Sequence, residues 1–80
     1  MTVRVLFFGV LAERMGRRSE TREVADGTTL ETLWKGIVAG HPALAGAPPP
    51  AFARNAVFTA PGVALRDGDE VAFLPPVGGG

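Results

Sequence analysis

The feature that most constrains this chain is one long stretch whose apolar residues return at the period of an α-helix. Leu30, Leu33, Trp34, Ile37, Val38 and His41 stand at i, i+3, i+4, i+7, i+8 and i+11. That spacing lines them along one face of an amphipathic helix. Thr28-Thr29-Leu30-Glu31 has the form of a capping box, with Thr28 as N-cap and Glu31 reaching back from the third helical position. Pro42 disfavours helical geometry at the residue before it, so the helix is expected to stop at His41 or just short of it. Gly36 weakens the helix by about 1 kcal/mol relative to alanine, which is tolerable. One helix with one apolar stripe needs a second layer to cover.

Strands are expected on both sides of it. Thr2 to Gly9 alternates: Val3, Val5 and Phe7 make one wholly apolar face, while Arg4, Leu6 and Phe8 make the other. A short helical turn follows, with Leu11 and Met15 at i, i+4 and Gly16 as a left-handed cap. Ser19 to Ala25 reads as a polar edge strand ended by Asp26-Gly27, its charges guarding the edge against pairing with other chains. After the helix, Ala43 to Pro50 shows no periodicity. Phe52 to Phe58 reads as strand, or as two short strands bent around Asn55, and Pro61-Gly62 marks a turn. Leu65 to Asp69 is a tight polar turn, and Glu70 to Pro75 is the last strand, with Val71 and Phe73 on one face and Ala72 and Leu74 on the other.

The sum is a two-layer α+β domain, one long helix on one face of a mixed sheet. Val3, Val5, Phe7, Val71 and Phe73 should turn toward the helix. Arg4 argues that the opposite face, with Leu6, Phe8, Ala72 and Leu74, lies outside the core. Several large apolar groups on an uncovered face suggest a partner site; scattered surface residues would also account for them.

Composition bears on what such a domain can do. A chain of 80 residues buries only about 60–65% of its unfolded surface, so an enclosed catalytic pocket would compete with the core. The absence of cysteine excludes disulfides, thiolate metal sites and thiol nucleophiles. Eight basic and eight acidic residues balance, which gives no electrostatic footprint for nucleic acid or an anionic membrane. The apolar run Val5 to Ala12 is short, is followed at once by Glu13 and Arg14, and lacks a signal-peptide cleavage site. No stretch approaches the ~20 apolar residues of a membrane span, and cytoplasmic residence is expected.

Past Leu74 the sequence reads Pro75-Pro76-Val77-Gly78-Gly79-Gly80. Two prolines favour an extended exit and cannot donate to a sheet ladder. Three glycines leave a thread without side chains, and residues 77–80 can reach ~13–14 Å when extended. Such a thread enters channels that any Cβ would block. A frayed terminus would explain the glycines as well, so the residues alone leave both readings open. The expected division is a folded domain at 1–74 and a tail at 75–80.

A resemblance separates these readings. Val5-Leu6-Phe7-Phe8, Leu65, the run Asp67-Gly68-Asp69-Glu70-Val71-Ala72-Phe73-Leu74-Pro75-Pro76-Val77 and the closing Gly79-Gly80 resemble the small, sulfur-carrying subunits of molybdopterin synthase. Gly78 departs from that pattern, where a small or hydroxyl residue is common, but keeps the register to the terminus. The resemblance implies a ubiquitin-like β-grasp fold. It also implies that an E1-like enzyme uses ATP to adenylate the Gly80 carboxylate, after which a sulfur donor converts it to a thiocarboxylate. The tail then enters the synthase large subunit, in a heterotetramer, and gives its sulfur to a cyclic pyranopterin precursor. By the same resemblance Phe8 and Leu74 face the large subunit and the activating enzyme, and Pro75, Pro76 and Val77 guide the tail. Leu6 joins them from its place on the uncovered face. This chain would be a sulfur-donating co-substrate, with catalytic bases on the large subunit.

Other readings are weaker. His41 has no second ligand at useful spacing, and a helix-end role is expected. Trp34 belongs to the core or its boundary. Asp67, Asp69 and Glu70 do not have EF-hand spacing, and turn solvation is expected of them; Glu70 could pair with Arg4 if the first and last strands are neighbours. No P-loop or G-x-G-x-x-G motif is present, so no bound cofactor or metal is expected and ATP belongs to the activating partner. Carriers for thiamin synthesis or tRNA thiolation, a ubiquitin-like protein modifier and an inert binding module remain as alternatives.

Overall fold

The structure is a computed structural model that describes residues 1–76. Five strands form one sheet: β1 (Thr2–Phe7), β2 (Ser19–Glu23), β3 (Ala51–Arg54), β4 (Val57–Thr59) and β5 (Glu70–Leu74). Their order across the sheet is β2-β1-β5-β3-β4. The first and last strands of the sequence pair in parallel at its centre, with Val5 opposite Val71 and Phe7 opposite Phe73, and all other pairings are antiparallel. Two helices, α1 (Gly9–Met15) and α2 (Leu30–Gly40), complete the fold.

The core forms on the face that alternation assigned to it. Val3, Val5 and Phe7 of β1, and Val71 and Phe73 of β5, are buried with Leu30, Leu33, Trp34 and Ile37 of α2. Phe73 is the hub: its ring centroid lies 5.0 Å from that of Trp34, 5.6 Å from Phe52 and 6.3 Å from Phe7. Offset and edge contacts at such distances add to the area term. Leu11 and Met15 of α1 enter the same core, and Gly16 caps that helix with φ +71° and an N–H donated to the Ala12 carbonyl at 3.0 Å.

Several expectations need correction. The N-cap of α2 is Thr29, whose Oγ1 accepts the Thr32 N–H at 3.1 Å; Thr28 instead donates its hydroxyl to the Ala25 carbonyl at 2.7 Å. Glu31 does not reach back but pairs with Lys35 one turn on, at 3.2 Å. Two adjacent threonines offer the same chemistry, and the turn into Thr29 decides between them. The first strand ends at Phe7 and not at Gly9, because Phe8 is the N-cap of α1. The second ends at Glu23, not Ala25. A 3₁₀ turn, Pro42–Leu44, runs into the segment expected to lack periodicity, and its Leu44 is fully buried. His41 caps α2, its ring Nδ1 donating to the Ile37 carbonyl at 2.8 Å.

Candidate docking face and tail root

The face of the sheet turned away from α2 is built by register. Leu6 stands opposite Ala72, Ala72 opposite Ala53, and Ala53 opposite Phe58, so one row crosses β1, β5, β3 and β4. Side chains that share a row across a sheet share a face. Two alanines sit mid-row, and the large residues sit at its ends. Small groups between large ones leave a hollow: an open depression of about 290 Å³ lined by Leu6, Phe8, Ala53, Phe58, Ala72 and Leu74, with Ala56 and Glu70 at its margin.

Leu6 and Leu74 are half-buried, Phe8 is 44% exposed and Phe58 is 70% exposed. The structure therefore brings Phe8, Leu6 and Leu74 together on one surface. Phe58 completes that surface and was read only as part of a strand. Alternation within so short a strand cannot say which face it serves without the pairing partner. The turn that sets this pairing is Asn55-Ala56, both at positive φ (50° and 69°), as a two-residue hairpin turn of the I′ kind requires.

The hairpin is clamped to β5 through Asn55, whose N–H donates to the Glu70 carbonyl at 2.7 Å and whose Oδ1 accepts the Glu70 N–H at 2.9 Å. Asp69 completes the clamp. Its carboxylate accepts the Arg66 N–H at 2.8 Å and the Asn55 side-chain amide at 3.1 Å, with Arg54 at 4.0 Å. Burial by itself raises the Asp69 pKa; the Arg66 and Asn55 hydrogen bonds and the charges of Arg54 and Arg66 outweigh it and leave the carboxyl below its ordinary value. Asp69 is thus an 8% exposed structural carboxylate, where solvation in a turn was expected. Arg4 and Glu70 are register neighbours, yet they form no ion pair among the described residues, contrary to the pairing expected from adjacency.

Pro75 and Pro76 leave β5 beside this face. Gly9, at φ +54°, lies under the Pro75 ring, and a Cβ added to it would stand 3.1 Å from Pro75 Cγ. The end of β5 and the start of α1 therefore meet through a glycine, and Phe8 stands next to the point where the tail begins. Val77, Gly78, Gly79 and Gly80, the remainder of the expected tail, lie outside the described residues. Among the described residues no group of three or more His, Cys, Asp or Glu is placed to hold a metal ion, and no helix is long and apolar enough to cross a membrane.

A mixed five-stranded sheet with a helix on one face, an open apolar row on the other and a tail leaving beside that row defines a ubiquitin-like β-grasp protein. The chain belongs to the ThiS family, which its residues 5–80 match. It is 41% identical over 83 residues to the molybdopterin synthase sulfur carrier subunit of Chlamydomonas reinhardtii, with all of both chains covered. Among solved structures it resembles SAMP1 of Haloferax volcanii, a small archaeal modifier protein, at 30% identity, full coverage of both chains and a TM-score of 0.84. It also resembles a chain from the complex of subunits 1 and 2 of the molybdopterin-converting factor of Helicobacter pylori, at 29% identity, full coverage of both chains and a TM-score of 0.69.

Proposed function

We propose that this chain is the sulfur carrier subunit of a molybdopterin synthase, with residues 1–74 as the docking body and 75–80 as the delivered tail. The observation that carries this reading is the full-length likeness to an algal sulfur carrier subunit in a chain whose open apolar row ends at the root of a Gly-Gly tail. A carboxylate is a poor electrophile because its charge is shared by two oxygens. The Gly80 carboxylate attacks the α-phosphorus of ATP on an E1-like enzyme and pyrophosphate leaves. Sulfide from the sulfur donor then attacks the acyl carbon and AMP leaves, giving the thiocarboxylate. In the large subunit the thiocarboxylate sulfur attacks a carbon of the cyclic pyranopterin precursor and displaces an oxygen substituent; water then cleaves the resulting thioester, leaving the sulfur on the precursor and a carboxylate on Gly80.

The body's task is placement. Phe8, Leu6, Leu74 and Phe58 bury their apolar surface against the large subunit or the activating enzyme, one partner at a time. Pro75 and Pro76 restrict the direction in which Val77, Gly78, Gly79 and Gly80 depart. The carrier holds no cofactor of its own; ATP is bound by the activating enzyme, in the cytoplasm, and two carriers serve two large subunits in a heterotetramer. The likeness to SAMP1 favours a second reading, a modifier joined to lysines by an isopeptide bond.

Incubation with ATP, an E1-like enzyme and a sulfur donor, read by intact mass, separates the two. Exchange of one oxygen for sulfur at Gly80, followed by its loss on addition of the large subunit and the pterin precursor, is the expected result. Higher-mass adducts on other proteins without that exchange would establish the modifier instead. An unchanged mass under all conditions refutes both.

A further inference from the structure

Resting on the carrier reading, we propose that a basic groove at the tail end of the sheet receives an acidic segment of the large subunit, beside the opening that takes the tail. The groove is open, about 690 Å³, and lies between β1, α1 and the turn into β2; Arg4, Arg17 and Arg18 line it, with Glu13 as its one carboxylate. Three guanidinium groups against one carboxylate make the lining basic, in a chain whose formal net charge is zero; Glu20 and Glu70 flank it, beside Arg17 and Arg4.

The start of β1, at the other end of the sheet, carries carboxylates. Asp67 accepts the Thr2 N–H at 2.8 Å, and Glu23 accepts the Thr2 hydroxyl, so two carboxylates gather at the start of β1. Because β1 and β5 run in parallel, their C-terminal ends lie together, and the tail leaves from the basic end. The open face is therefore apolar in the middle and basic at the end beside the tail.

The groove is continuous with the apolar row. Leu6 and Phe8 line both depressions, and Gly9, which seats Pro75, lines the groove. A partner covering the row would therefore meet the arginines as well. Arg4 and Arg18 are in no ion pair among the described residues, and Arg17 has only Glu20 at 3.5 Å with its own side chain 55% exposed. An exposed pair of that kind holds its members weakly. Guanidinium groups are planar, weakly hydrated and matched to carboxylates in two-point contact. A small basic patch bordered by apolar side chains suits an acidic protein segment with apolar neighbours; it is too small to track a nucleic-acid backbone. Charges so separated orient an encounter more than they tighten it, and here the orientation presents the tail first.

The test measures association of the full-length carrier with the large subunit by stopped flow, across about 0.05–1 M salt. Reversal of charge in Arg17→Glu/Arg18→Glu is expected to slow association about 10- to 100-fold at low salt. The deficit should close near 1 M, where screening acts over ~3 Å. Arg17→Lys/Arg18→Lys, which keeps the charge, should retain most of the rate, and matched melting curves exclude a folding defect. Equal rates for wild type and the reversed variant at every salt concentration would overturn the proposal, as would faster association of the reversed variant. So would a shift of the Gly79 and Gly80 amide resonances in the free reversed variant with association untouched, since the groove's anion would then be the chain's own end. A wild type that loads and delivers sulfur while association ignores the reversal defeats this inference alone. A wild type that never acquires sulfur defeats the carrier reading, and this inference with it.

Discussion

Truncating Phe58 to alanine separates the proposed binding role of the open face from its place in the fold. A phenylalanine exposes roughly 200 Å² in full, and at 70% exposure about 140 Å² of it is free to be covered by a partner. At ~25 cal/mol per Å² that area is worth about 3.5 kcal/mol. Alanine keeps part of the contact, so the expected loss is about 2 kcal/mol, or roughly 30-fold in Kd. Only ~60 Å² is covered in the free protein, which limits the loss of folding stability to about 1.5 kcal/mol. Val57, next along β4 and 66% exposed, points to the other face and supplies the control. Calorimetric titration of each full-length variant with the large subunit, beside thermal melts, reads both effects. The reasoning is refuted if Phe58→Ala binds within about twofold of wild type, or if Val57→Ala weakens binding as much.

Three further outcomes follow from the geometry. Asp69→Ala removes two hydrogen bonds to a carboxylate and should cost about 2–4 kcal/mol at neutral pH, lowering Tm on the order of 10–25 °C. Because the folded carboxyl is held below its ordinary value, its stabilisation is complete above the unfolded value near ~3.9 and is lost as pH falls through the folded one; wild type and variant should converge in acid urea titrations, and a constant gap would contradict the assignment. Thr29→Ala should cost about 1 kcal/mol and Thr28→Ala less, a ranking that urea midpoints check directly. Gly9→Ala meets both a positive φ and the Pro75 ring, so its cost should fall by about 0.5 kcal/mol or more in a Pro75→Ala background; strict additivity in melting would show that the contact is not felt.

The two layers were legible because the strands that make them alternate cleanly. Val3, Val5 and Phe7, then Val71 and Phe73, announce one buried face whatever their partners. The same alternation placed Leu6, Phe8 and Leu74 opposite. What escaped depends on pairing or on single backbone angles. Phe58 joins the site only because Ala53 is its register partner, which the turn at Asn55-Ala56 fixes. Leu44 lies among alanines, glycines and prolines with no period to reveal it, yet it fills the core at the end of α2. Asp69 is one acid in a run of acids, and only the turn from Arg66 shows that it faces inward. Val77 to Gly80, which carry the proposed chemistry, lie outside the described residues; three glycines have no packing pattern to read, so it was the resemblance that chose between a working tail and a frayed end.

The body and the tail are coupled energetically in the proposed mechanism. Seating Gly78, Gly79 and Gly80 in a partner's channel fixes three backbones, at about 1–2 kcal/mol each, so up to about 3–6 kcal/mol opposes delivery. A glycine thread has no side chain with which to offset that cost. The open face can do so: Phe58 and Phe8, at 70% and 44% exposed, offer together about 230 Å², or close to 6 kcal/mol at ~25 cal/mol per Å². The alanines at 53 and 72 matter for the same reason. A larger residue at either position would fill the hollow from within and flatten the surface that a partner's side chain must enter. The face turned from the helix thus stays under-filled at the middle of its row, and in the proposed mechanism that hollow is where a partner's side chain enters to hold the body while the tail is delivered.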